Sequence, residues 1–321
     1  MQSPKLCKEL IATFIDWGGM IMKKSRAEAG DWAKYLFVLP ALLFMLAFIG
    51  YPIIYNIILS LRDVSVMTFQ NAKELVGLRN YVQLFTESNG ILNLSILNTF
   101  FYTAVCLIFQ FSIGFAFAIF FALRFRYASF LRGLAMIAWM VPMTITGLMF
   151  KYMLSPSGGL INEILMALHL VKEPVEWLIN GKTAMWGIII TNIWVGIPFN
   201  MILLATGITT IPESVYESAN IDGANFLQKF FCITVPMIRP AIMSVLTLGF
   251  IYTFKVFDLV FIMTNGGPVN ATEVLSTLAY RMSFVEFNFS KGATVSNVLF
   301  IILFFVGLFY LRLIRQNEEV M

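Results

Sequence analysis

The chain predicts an all-α polytopic membrane protein with six transmembrane helices. Composition, span length and loop charge carry that reading. Of its 321 residues, 59% are apolar and only 12% charged, with a mean hydropathy of +0.81. Soluble domains hold about 45–50% apolar and about 25% charged residues. Six stretches, roughly 35–60, 96–123, 131–153, 184–207, 238–263 and 292–314, reach the length of a span, for which about 20 mostly apolar residues suffice. These runs are too long for barrel strands, and open sheet edges are forbidden in lipid, so each is expected to be a helix.

Taken in order, residues 1–34 form a cytoplasmic N-terminal segment. Its apolar part, 10–22 (LIATFIDWGGMIM), is short and interrupted by Asp16, so it cannot span. It either lies on the membrane surface or is an extension upstream of a start at Met22, and no cleavable secretory signal is convincing. Residues 35–95 give a leading helix and an external loop. Residues 96–314 give five more helices with a polar cytoplasmic loop at 208–237, and 315–321 a cytoplasmic tail. Pro40, Pro52, Pro142 and Pro198 fall inside or near spans, where they are expected to kink helices or shape cavity walls rather than end helices. The stretches SPSGG (155–159) and NGGP (265–268) are turn material in external loops.

Orientation follows from the loop cations. With the N-terminus inside, the cytoplasmic segments hold Lys5, Lys8, Lys23, Lys24, Arg26, Lys34, Arg124, Arg126, Arg132, Lys229, Arg239, Arg312 and Arg315. The external segments hold only Arg62, Lys73, Arg79, Lys172, Lys182 and Arg281. Both termini and 208–237 are therefore expected in the cytoplasm.

Several function classes recede. Cys7, Cys106 and Cys232 are scattered and odd in number, a poor basis for disulfides or zinc. The one histidine, His169, stands beside a loop without clustered ligands. The net charge of +4 comes from basic flanks and forms no nucleic-acid stripe. Gly181-Lys182-Thr183 resembles the tail of a phosphate loop, but the glycine required five residues earlier is Glu176. An intramembrane enzyme needs a Ser-Lys, Ser-His, paired-Asp or HExxH constellation, and none is apparent. A secondary transporter would show inverted repeats and midplane carboxylates.

Polar groups inside the spans are the candidates for a solute path. Lys255 and Asp258 lie three apart, expected on one helix face, as a path or gating pair or as a structural ion pair. Lys151 is expected to snorkel. Asn192, Gly196 and Phe199 at i, i+4 and i+7 share a helical face, with Asn200 a second amide at membrane depth. That face serves either a cavity or helix packing. Trp139, Trp186, Trp194, Tyr252 and Phe257 add aromatic surface in spans three to five, most of it expected to pack or face lipid.

The most informative stretch is ESANIDGANFLQKFFCITVP, 217–236, a polar run between two apolar blocks. A helix through 213–222, a turn at Gly223 and a second short helix to Pro236 are expected. Glu217, Ala219, Gly223, Ile233 and Pro236 follow the spacing E-x-A-x3-G-x9-I-x-x-P. This resembles the coupling loop of ABC-importer permeases, with Ser218 in place of the family's second alanine and Val235 in place of its usual leucine. Together with NIWVGIPF (192–199) and FDLVFIMTNGGP (257–268), it makes residues 35–314 similar to carbohydrate-type permeases of the maltose and glycerol-phosphate group.

The resemblance implies a type I ABC-importer permease fold in a bacterial cytoplasmic membrane, and a transport subunit rather than an enzyme. The implied partners are a second permease subunit as homologous heterodimer partner, two ATPase subunits and an external solute-binding protein that delivers a sugar or oligosaccharide. No cofactor is implied for this chain; ATP-Mg is used by the ATPase. Alternating access is the implied mechanism. Glu213, Tyr216, Glu217, Ala219, Asp222, Gly223 and Ala224 would couple to the ATPase. Trp139, Met143, Asn192, Val195, Gly196, Phe199, Thr253 and Val256 would line the sugar path. Met143 and Val256 are apolar where the maltose permease is polar. A permease of the same superfamily for an amino acid, polyamine or phosphate ester is the alternative.

Overall fold

A computed structural model describes residues 32–68, 74–86, 90–122 and 126–318, with side chains described between 35 and 313. The 10–22 segment, Lys73 and Arg124 lie outside the described residues. By contacts the chain divides into two units, Met1–Asn56 and Ile57–Met321. In the first, α1 (Trp32–Met45) carries Pro40 and passes through a π-helical turn, Leu46–Gly50, into α2 (Tyr51–Ser60). The looser turn precedes Pro52, whose ring cannot accept a regular i−4 contact and whose nitrogen donates nothing. Every side chain from Tyr35 to Ile49 is exposed, as a lipid-facing helix requires.

The second unit continues with a short amphipathic helix, α3 (Arg79–Thr86), and then α4 (Ile91–Ala122), α5 (Ala128–Met140), α6 (Met143–Met153), α7 (Leu160–Ala167) and α8 (Ala184–Thr209). Next come α9 (Glu213–Ile221), α10 (Phe226–Lys229), a π turn at Phe230–Thr234, α11 (Val235–Met237), α12 (Arg239–Phe254) and α13 (Asp258–Met263). The last helices are α14 (Leu275–Tyr280) and α15 (Phe289–Glu318). Among the described residues, five helical stretches are long and apolar enough to cross a membrane, or six if a bent pair counts as one span.

That bent pair corrects the sequence reading. The third span is two helices, α5 and α6, set at 93°. Val141 is extended, with ψ at 129°, and Pro142 caps α6. Proline drives its predecessor out of the helical region, so Pro142 does end a helix here. Pro40 and Pro198 stay inside helices as expected. The fifth span is likewise interrupted, since α12 stops at Phe254 and α13 restarts at Asp258. The carbonyl of Val256 in the break accepts a hydrogen bond from the Ser276 hydroxyl, which satisfies backbone that lipid would leave unpaired.

The longest helix, α4, packs most extensively on α8. Small residues let the two backbones approach. A Cβ added at Gly114 would lie 2.6 Å from Asn200 Cβ and 3.2 Å from the Met201 backbone nitrogen. Along this pair lie two apolar clusters. One gathers Tyr102, Cys106, Ile188, Ile189, Leu259 and Val260; the other gathers Phe115, Ala118, Leu204, Ala205, Ile208 and Ile238. Between them, at Gln110 on α4 and Asn192–Asn200 on α8, the chain turns polar.

The loop after α13 is tightly built. Asn265, Gly266, Val269 and Asn270 all take positive φ. The Thr264 and Thr272 hydroxyls meet at 2.7 Å, and Asn98 donates to the carbonyls of Ala271 and Glu273. Arg281 pairs with buried Glu273 at 2.8 Å and donates to Asn270 Oδ1 at 2.7 Å. Burial pushes the Glu273 carboxyl up, while the Thr277 hydrogen bond and Arg281 pull it down.

Candidate functional site: a membrane cavity and a polar hairpin

A cavity of about 290 Å³ opens where the polar stretch of α4 and α8 meets the two broken spans. Its wall holds Trp139, Met143, Asn192, Val195, Gly196, Phe199 and Thr253, all singled out from the sequence. The volume sits at the lower end of small-molecule sites, roughly 300–1,000 Å³. The rings form a continuous surface: Trp139 and Phe199 stack at 6.0 Å and 24°, and Tyr252 meets Phe199 edge-on at 6.2 Å. Such offset and edge contacts match the quadrupoles of the rings and leave faces free to cover an apolar ring surface.

Three amides share the wall with the rings. Gln110 Nε2 donates to the Asn192 carbonyl at 2.8 Å, and Asn200 Nδ2 donates to the Gly196 carbonyl at 2.8 Å. Asn192 Nδ2 and Asn200 Oδ1 are buried with no hydrogen-bond partner among the described residues. Both atoms are closed to solvent and do not open onto the cavity surface. Gly196 makes room for Gln110: a Cβ there would stand 2.2 Å from the Gln110 amide carbon, so that side chain would have to move.

Not every expected path residue reaches this wall. Val256 sits in the α12–α13 break and packs against the Tyr102–Cys106 cluster. Lys255 and Asp258 do not share a helix face, because the break falls between them. Both are exposed. The Lys255 ammonium lies 5.1 Å over the Tyr252 ring instead, and Lys151 donates to the Ile262 carbonyl at 3.0 Å. Trp186 and Trp194 pack on Phe101 and Phe150, and Phe257 stacks on Phe261. Gln110 and Gly249 line the cavity and were missed. Gln110 was detectable by the reasoning used for Asn192, as an amide in the middle of an apolar run.

The polar segment folds as a helical hairpin, α9–α10. Gly223 has φ +77°; its N–H bonds the Asn220 carbonyl, and that of Ala224 bonds the Ala219 carbonyl. This is a Schellman cap, which needs a left-handed residue just past the helix. Asn225 then starts α10 with a reciprocal capping box to Gln228. Lys229 Nζ reaches Asn220 Oδ1 at 2.7 Å, and the hydroxyls of Tyr216 and Thr234 meet at 2.9 Å, so the two arms are tied twice. Ala219 is buried under the hairpin, whereas Glu213, Glu217, Asp222 and Gly223 are exposed and Ala224 half-buried. The tip presents Ile221, Phe226 and Leu227, 87%, 63% and 61% exposed. Apolar residues this bare on a polar hairpin fit a partner surface; none of these three was among the expected coupling residues.

The comparisons with known proteins agree with this geometry. Residues 110–316 match the family model described as "Binding-protein-dependent transport system inner membrane component". The trehalose/maltose transport system permease protein MalF of Thermococcus litoralis is 33% identical over 286 residues, covering 89% of this chain and 94% of that protein. A bacterial alginate ABC transporter, solved with an alginate pentasaccharide-bound periplasmic protein, has a chain that superposes with a TM-score of 0.75 at 23% identity, covering 89% of this chain and 95% of its own. A second structure, of an ABC transporter that imports the acidic polysaccharide alginate, gives 0.71 at 24% identity, covering 91% and 99%. The architecture is the type I ABC-importer permease fold, and the chain belongs to the family of binding-protein-dependent transport system inner-membrane components.

Proposed function

We propose that this permease carries a sugar or short oligosaccharide inward by alternating access, fed by an external binding protein and driven by two ATPase subunits that consume ATP-Mg. The carrying observation is the cavity: rings and three amides in one wall, beside the bend at Val141–Pro142 and the interruption after Phe254. Sugars offer apolar ring faces to aromatics and hydroxyls to amides. The trehalose/maltose relative supports the same class of solute. The second permease is read as a homologous heterodimer partner that closes the open side of the cavity, where Trp139 and Tyr252 are exposed.

The hairpin α9–α10 is the proposed ATPase contact, with both termini on the same cytoplasmic side as the loop-charge asymmetry demands. Engine closure would press on Ile221, Phe226 and Leu227. Phe230, which packs on Phe115 of α4 at 5.1 Å, would pass that movement to the helices lining the cavity. Uptake by the reconstituted importer tests the reading: labelled disaccharides should accumulate with ATP, and transport of amino acids alone would refute the solute class. The exposed thiol of Cys232 tests the orientation. In a Cys7→Ser background it should react with impermeant maleimide only from the cytoplasmic face.

A further inference from the structure

We infer that a second cavity, between the hairpin and the ends of two spans, holds a membrane phospholipid whose headgroup joins a phosphate to a primary ammonium, as in phosphatidylethanolamine. The inference does not depend on which solute is carried. The cavity measures about 510 Å³, within the range of small-ligand sites, roughly 300–1,000 Å³. Its walls come from this one chain: α4, the end of α8 and both arms of the hairpin.

The walls divide by chemistry. Ile119 and Ala122 stand in the last turn of α4, Ile208 and Ile211 at and just past the end of α8, and Phe226 and Phe230 on the hairpin side. The polar groups are Thr209, Glu213, Tyr216, Lys229 and Thr234, so the wall holds one cation and one anion. The two spans, α4 with 32 residues and α8 with 26, are about 48 and 39 Å long, against about 30 Å of hydrocarbon. Both outrun it, and their last turns reach headgroup level. An amphiphile anchored in the bilayer meets the cavity there from the side.

Lys229 carries three donors, and one goes to the neutral amide oxygen of Asn220 at 2.7 Å. Its charge is left for an anion, which a phosphodiester supplies through charge-assisted hydrogen bonds. Glu213 lies in the first turn of α9. Its carboxylate offers about four acceptor sites, so an ammonium can be added to any contact it already makes. In this headgroup phosphate and ammonium are joined through a short linker, and one ligand meets both charges. A purely anionic headgroup would face Glu213 with like charge, and the quaternary nitrogen of choline has no N–H to donate. The glycerol and first methylenes then lie on the isoleucines and Phe230. A lipid held there bridges the hairpin and the ends of α4 and α8.

The test is photolabelling of the complete transporter, ATPase included, in phosphatidylcholine nanodiscs. Trace phosphatidylethanolamine or phosphatidylcholine carries a diazirine on an upper acyl carbon, and the labelled peptides are mapped. The ethanolamine probe should label 119–122 and 208–211 at least about fivefold more than the choline probe, the worth of one net hydrogen bond. Glu213→Gln should cut that preference to about twofold or less. Lys229→Met should lower labelling by both probes about fivefold or more. Ala122→Trp fills the apolar end and should abolish labelling at 208–211; if it fails to assemble, Thr209→Trp, at an exposed position, is read in the same way. Equal labelling by the two probes in wild type, or a preference unchanged by Glu213→Gln, overturns the inference. Glycerophosphoethanolamine, the headgroup without chains, should not compete at matched concentration; full competition would make this a site for a soluble zwitterion instead. Labelling of the membrane subunits alone that vanishes once the ATPase is bound would give the cavity to the ATPase and refute a resident lipid.

Discussion

Replacing Gly223 isolates backbone strain from side-chain bulk. Its φ is +77°, and a Cβ added there meets nothing within 4 Å. Within this chain, therefore, an alanine clashes with no atom and feels only the left-handed backbone. That conformation costs an L-residue about 1–2 kcal/mol, or roughly a 5–30-fold fall in the equilibrium constant for the capped form. Asparagine tolerates the region far better, and a β-branched residue tolerates it worst. The expected order of uptake is Gly, then Asn, then Ala, then Val. The assay is ATP-driven uptake in proteoliposomes holding the complete importer, alongside co-purification of the ATPase and the amount of permease in the membrane. Asn should stay within about twofold of wild type, Ala should fall by up to about 5–30-fold, and Val should lose uptake and retain ATPase weakly, all at normal membrane levels. If Asn proves as damaging as Val, bulk against the partner governs this position and the strain argument is wrong. Undiminished uptake by the Val variant would remove Gly223 from the coupling mechanism.

Three further outcomes follow from the same geometry. Asn192→Ala should lower uptake or shift sugar preference with the complex intact; loss of detergent-stable assembly with unchanged preference would assign the residue to packing instead. Gly196→Ala should lower thermal stability by about 1–3 kcal/mol through overpacking, because the new Cβ meets Gln110, which is itself pinned to the Asn192 carbonyl. Adding Gln110→Ala should recover most of that loss, and a purely additive double variant would refute the contact. The raised Glu273 carboxyl holds its proton more tightly in the folded loop than in the unfolded chain, whose ordinary value is 4.5. Its contribution to stability is therefore full below that value and declines as pH rises through the folded value. Melting scans across this range should show the decline in wild type and a flatter curve in Glu273→Gln; identical curves would contradict it.

The sequence alone determined that the chain is a bundle of membrane helices, because lipid leaves no other way to satisfy a long apolar backbone. It also determined the polar hairpin. Local chemistry suffices there: Gly223 supplies the left-handed cap, and an amphipathic run on each side supplies the arms. Phe199, Gly196 and Asn192 could be placed on one face by helical periodicity, and the resemblance brought Trp139, Met143 and Thr253 into the same set. That these six residues and Val195 converge, and that Val256 does not, was decided by tertiary structure. The break at Lys255–Phe257 has no proline or glycine to announce it, and the apolar run continues through it. The Val256 carbonyl that the helix releases accepts a hydrogen bond from Ser276, twenty residues on. Lys255 and Asp258 were separated by the same event, since a helix-face argument fails where the helix stops. Gln110 belongs to the site only because α4 crosses α8 closely enough for its amide to lie on Gly196, a proximity between residues 86 positions apart that no local pattern encodes.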